Sequence, residues 1–153
     1  MSSDLHQYYL QQMGIETWVL RDTRVSLSAI KGLETTVSTC SRCPLHSTRT
    51  QTVFARGNPS AKLMIIGDAP NSHEDQQGSP FVGQAGILLH QMLSSIQLTD
   101  EDVYFTHVIK CCTPDQRSPH PEEMAQCNDY LNQQIALISP KLIFAVGQIA
   151  GQF

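Results

Sequence analysis

Apolar positions in this chain fall into short blocks separated by polar stretches carrying glycine and proline. Leu63 to Ile66 is an unbroken apolar run ending at Gly67, the pattern of a parallel strand buried on both faces. Val103 to Ile109 predicts a second strand, with Asp100 before it as a cap or turn residue. Leu142 to Val146 predicts a third buried strand that ends at Gly147. Between these blocks the period changes. Ala85, Leu88, Leu89, Met92 and Leu93 fall on one face of a helix, and Pro119 and Pro121 open another from Glu122 to about Ile138. Its Glu122 and Glu123 suit the positive end of the helix dipole. Strands alternating with helices of this length imply an α/β fold with a parallel sheet covered on both faces.

The first third is less regular. Asp4 to Met13 predicts a short helix capped by Gly14, and Ile15 to Arg21 carries the only tryptophan, Trp18. That segment is either a docked arm whose Trp18 fills a core gap or a detached recognition peptide. Residues 22–39, rich in Ser and Thr, predict a connector with one weak helix around Ser26 to Leu33. Thr52 to Phe54 is a short strand by pattern, and Arg56 to Pro59 a turn. Residues 1–37 are therefore expected to be an arm and connector, and 38–153 the folded domain.

With 153 residues, 41% hydrophobic and 16% charged, the chain has enough apolar content for one cored domain, not disorder. A formal net charge of −4 excludes an overall basic footprint, so a nucleic-acid partner needs a local basic patch. No run approaches the roughly 18 apolar residues of a membrane span, and no signal-peptide layout opens the chain; a cytoplasmic location is expected.

Five cysteines in a reducing compartment point to metal binding or reactive thiols more than to disulfides. Cys40 and Cys43 have the C-x-x-C spacing that lets two thiolates face one metal, Cys111 follows the second strand, and Cys127 lies in the next helix. Four such thiols can hold tetrahedral zinc or a [4Fe–4S] cluster, or they can be unrelated buried cysteines. Cys112 adjoins Cys111, and neighbours on an extended segment point to opposite faces, so only one of them can join the set.

The loop after Gly67 is the default ligand site, because open α/β sheets bind ligands at the carboxyl ends of their strands. Its motifs are Gly67-Asp68-Ala69-Pro70, Glu74-Asp75-x-x-Gly78-x-Pro80-Phe81-Val82-Gly83-x-Ala85-Gly86 and, further on, Lys110-Cys111, Arg117-Ser118-Pro119-x-Pro121-Glu122-Glu123 and Lys141 to Gly147. With Cys40-Ser41-Arg42-Cys43-Pro44-Leu45 these resemble the iron–sulfur (family 4) uracil-DNA glycosylases, in the family's order from about residue 38 to the end. The resemblance implies a three-layer α/β fold with a short parallel sheet, and a [4Fe–4S] cluster on Cys40, Cys43, Cys111 and Cys127. It implies base-excision repair of DNA, single- or double-stranded, by hydrolysis of the N-glycosidic bond of a flipped uracil. Phe81 becomes the stacking aromatic. Asp68 and Glu74 take the catalytic positions, and Gly67, Ala69, His107 and Gln116 line the substrate site.

Several positions depart from the family's pattern. Asp68 and Asn71 stand where glutamate and glycine are common, His107 where an asparagine reads the edge of uracil, and Gln116 where asparagine is usual. The family continues past Gly147 with a helix, a final strand and a His-Pro-Ser-like motif, whereas this sequence stops at Phe153. A fragment missing its last strand is one expectation; a degenerate, non-catalytic descendant is the other. Residues 9–21 around Trp18 also resemble the N-terminal peptide of the psi subunit of the bacterial clamp loader. That likeness implies the alternative function, a non-catalytic accessory subunit that binds clamp-loader subunits through Trp18.

Overall fold

The computed structural model describes residue 13 and residues 23–152, with side chains at 13 and 27–152. The helix expected from Asp4 and the Trp18 segment fall outside them.

Four strands form one sheet in the order β1-β3-β2-β4: β1 Arg56–Gly57, β2 Leu63–Gly67, β3 Val103–His107 and β4 Leu142–Val146. The last three are parallel, with Gly67 level with both His107 and Val146. β1 is antiparallel to β3, so the sheet is mixed where an all-parallel one was expected. It forms from residues read as a turn, while Thr52 to Phe54 is extended chain held by Val53 N–H donating to Lys110 O at 2.8 Å. β3 stops at His107, two residues earlier than its apolar run; there the backbone bends and Val108 N–H and Ile109 N–H donate to the carbonyls of Gly67 and Asp68.

Helices α1 (Thr23–Ser38) and α4 (Pro121–Ile138) cover one face of the sheet, where Ile30, Leu33, Val37, Met64, Ile66, Tyr104, Leu131 and Ile138 are buried together. On the other face α3 (Gln84–Ser95) packs Leu89 and Leu93 against Ile65, Val103 and Phe105. The architecture is thus three-layered α/β, as expected. Between β2 and α3 lies the short helix α2 (Ser72–Gln77).

Three further expectations are corrected. The connector with a weak helix is a 16-residue helix, α1. Its Thr35 and Thr36 hydroxyls bond back to carbonyls one turn earlier, and tertiary packing of Ile30, Leu33 and Val37 overrides the poor propensity. The face of α3 is rotated from the expected one: Leu88 and Met92 are exposed, whereas Gly86 turns inward because the Phe81 carbonyl lies where a Cβ would sit. β4 is not buried, with Leu142 64% and Phe144 51% exposed. It occupies the sheet edge, paired with β2 on one side.

Candidate active site and thiol cluster

The loop leaving β2 is shaped by reciprocal capping. Asn71 Oδ1 accepts from the N–H groups of His73 and Glu74 at 2.9 and 3.0 Å, and Glu74 Oε2 accepts from Asn71 N–H at 2.8 Å. Asn71, a departure from the family pattern, is therefore the N-cap of α2. Gly78 closes that helix at φ 69°, a left-handed conformation suited to glycine. The other Glu74 oxygen accepts from Phe81 N–H and so fixes the Phe81 backbone, itself at φ 53°.

These bonds converge on the carboxyl ends of β2 and β3. The Phe81 ring lies 4.8 Å from the His107 imidazole at 26°, a stacked pair, and 5.8 Å from Phe105, tilted. His107 Nε2 is 3.3 Å from Glu74 Oε2, an ion-pair distance without hydrogen-bond alignment, and neither ring nitrogen has a hydrogen-bond partner. Burial acts to raise the Glu74 pKa; the adjacent His107 imidazole, with the Asn71 and Phe81 N–H groups, outweighs it and holds the carboxyl below its ordinary value. Gly67 is needed for this approach, because a Cβ there would sit 2.4 Å from His107 Nδ1 and 3.0 Å from Phe81 Cζ.

Asp68 follows Gly67 but engages the other side of the sheet end. Its Oδ1 accepts from Ala150 N–H at 2.8 Å, and Gly147 leaves room for the carboxylate. Ala69 packs toward the cysteines with Leu45 and Ile109. Gln116 is exposed on the 3₁₀ turn Pro114–Gln116, its N–H donating to Thr113 O, and none of its described bonds reaches the Phe81–His107 pair. The structure thus brings Gly67, Glu74, Phe81 and His107 together, sets Asp68 beside them, and leaves Gln116 apart.

Three of the four cysteines named above, Cys43, Cys111 and Cys127, pack together with Leu45 and Ile109. Cys40 lies close enough for Cys127 to feel its charge, as it does that of Cys43. Burial pushes the Cys111 thiol up to about 11, against the hydrogen bond and charge of Arg49. Cys127 is likewise raised by burial, with Lys110 opposing. Cys112 points the other way, its thiol raised by burial and by the nearby Asp75 and Glu74.

Three supporting groups escaped the sequence reading. Arg49 donates from Nη1 to Cys111 Sγ at 3.0 Å and from Nη2 to Cys40 O at 2.7 Å, tying the C-x-x-C loop to β3's extension. Asp75 Oδ2 accepts from Thr50 N–H at 2.8 Å, which ties α2 to the same segment. Lys110 is fully buried, donating from Nζ to Thr106 Oγ1, His107 O and Gln134 Oε1 at 2.5–2.7 Å; burial brings its pKa down to about 7. Asp75 and Lys110 lie within quoted motifs, though with no role read for them, and only Arg49 had no sequence signal.

Residues 54–153 match the Uracil DNA glycosylase superfamily. That stretch holds all four strands and the Phe81–His107–Glu74 arrangement. The chain belongs to this superfamily. It is 47% identical over 117 residues to the Type-4 uracil-DNA glycosylase of Archaeoglobus fulgidus, covering 76% of this chain and 59% of that protein. Similarity to the Type-4 enzyme of Thermotoga maritima is 43% over 117 residues (76% and 61%), and to that of Pyrobaculum aerophilum 40% over 123 residues (80% and 63%). The chain therefore spans about three fifths of the length of these curated relatives. A separate cleft beside the cysteines is lined by Arg42, Cys43, His120 and Glu123. The glycosylase matches lend no support to a clamp-loader role for residues 9–21.

Proposed function

We propose that the chain is a uracil-DNA glycosylase domain of base-excision repair, acting in the cytosol on uracil-containing DNA. The observation that carries this reading is the convergence of Phe81, Glu74 and His107 over Gly67, within a segment similar to proteins named Type-4 uracil-DNA glycosylases. Phe81 is the flat platform on which a flipped base stacks. Glu74 acts through Phe81, holding its backbone so that the ring stands at the strand ends. Asp68, with Oδ1 engaged by Ala150 N–H, has Oδ2 for holding the attacking water near the sugar. In the reaction the bond between uracil N1 and the sugar C1′ breaks, uracil leaves with the electron pair, and water oxygen bonds to C1′. The water gives up a proton, and uracil takes one.

The cysteines support a [4Fe–4S] cluster as resident cofactor, held by Cys40, Cys43, Cys111 and Cys127. Burial raises the Cys111 and Cys127 thiols, and a cationic cluster is what would stabilise their thiolate forms there. Among the described residues no three His, Cys, Asp or Glu are grouped for a single metal ion. Zinc draws every ligand atom to about 2–2.3 Å of one point, whereas a cluster spreads its thiolates over separate corners. The Arg49 N–H on Cys111 Sγ is the kind of contact that tunes a cluster. When bound, the group cross-links the C-x-x-C loop, β3's extension and α4, and so steadies the pocket floor.

The test is incubation of anaerobically purified protein with a single-stranded uracil-containing oligonucleotide. Abasic sites should form and should be lost in Phe81→Ala. Absence of abasic sites with the cluster intact would reject the proposal.

A further inference from the structure

His107 ends β3 level with Gly67, and it is 4% exposed. Its imidazole lies against the Phe81 ring at 4.8 Å and 26°. A flat base inserted between two rings, in van der Waals contact with both, needs them about 7 Å apart. No base fits there while the imidazole is in place. The Phe81 ring also lies 5.8 Å from Phe105, tilted at 55°. The imidazole is also held weakly for so buried a polar ring. Neither nitrogen has a hydrogen-bond partner, and the Glu74 carboxylate meets Nε2 at 3.3 Å without alignment. Buried polar groups are nearly always hydrogen-bonded, so a ring held by stacking and shape alone calls for an explanation.

We propose that His107 is the gate of the pyrimidine slot. In the free protein its imidazole takes the stacking place on Phe81, and a base enters by displacing it. His107 thereby sets how strongly the pocket takes uracil. This rests on the reading of Phe81 as the platform for uracil. Deleting the side chain leaves a flat-walled cavity beside Phe81, and apolar-walled cavities of this kind accept planar ligands.

The experiment uses the full chain, with iron content and circular dichroism checked in each variant, and measures binding of free uracil by calorimetry. His107→Ala and His107→Asn should each bind uracil about tenfold more tightly than the wild type. Imidazole, matching the deleted ring, should compete with uracil in His107→Ala, and adding Phe81→Ala should remove the gain. In the wild type, His107 should become modifiable by diethyl pyrocarbonate only when uracil is present at saturation. Uracil binding as tight in the wild type as in both variants would overturn the gate and leave the glycosylase reading standing. No uracil binding by any folded form would overturn the gate together with that reading. Unchanged protection of His107 at saturating uracil would overturn the gate even if neither variant folds.

Discussion

Glu74→Gln isolates the joint that shapes the pocket. The glutamate's two oxygens accept from Asn71 N–H at 2.8 Å and from Phe81 N–H, and the same carboxylate sits 3.3 Å from His107 Nε2. Glutamine fills the same volume but offers one acceptor and an NH₂ group, so one of the two backbone donors must face another donor. A charge-assisted bond lost with its buried donor left unpaired costs about 1.5–3 kcal/mol. For a domain of this size that is a fall in Tm of roughly 3–12 °C. The pH dependence has a definite sign. Folding holds the Glu74 pKa below 4.5, so its contribution is present above the unfolded value and is lost as pH falls through the folded one. Thermal unfolding of both proteins from neutral to about pH 3 should therefore show a full gap near neutrality that narrows below about pH 4.5. Groups that titrate in both proteins cancel in the difference. An unchanged Tm near neutrality, or a gap that stays constant to the acid end, would refute the reasoning.

Other perturbations follow from the same geometry. Gly67→Ala places a Cβ 2.4 Å from His107 Nδ1 and should destabilise by about 1–3 kcal/mol in urea unfolding, as overpacking does. Cys111→Ser should lose bound iron and visible absorbance, whereas Cys112→Ser, whose side chain faces Asp75 and Glu74, should keep both. Lys110→Met removes the donor shared by Thr106, His107 O and Gln134, and should cost about 2–4 kcal/mol by chemical denaturation. Equal stability of Lys110→Met and the wild type would mean that this network contributes nothing net.

The central strands β2 and β3 and the helix α4 were legible because their signals are local: unbroken apolar runs, and a proline followed by glutamates. The exposure of β4 was not, since an apolar run reads the same at the centre of a sheet as at its edge. α1 was hidden by its Ser and Thr content; three apolar residues, Ile30, Leu33 and Val37, carry its burial. In the site, the gathering of Gly67, Glu74, Phe81 and His107 could be anticipated from motif order. The particular work of each side chain could not. Asp68 finds its partner at Ala150 and Arg49 finds Cys111, contacts set by the folded sheet and far apart in the chain. Asn71 stands where glycine is usual, yet a capping pattern was present in its spacing to Glu74.

The most direct test of the account is uracil release under single-turnover conditions. Iron-replete protein in excess would be mixed with an oligonucleotide carrying one labelled deoxyuridine, alongside an identical strand carrying thymidine. The account predicts release of free uracil from the first strand only, at a rate lowered at least about tenfold by Phe81→Ala. Release no faster than in buffer, or equal release with Phe81 removed, would contradict it.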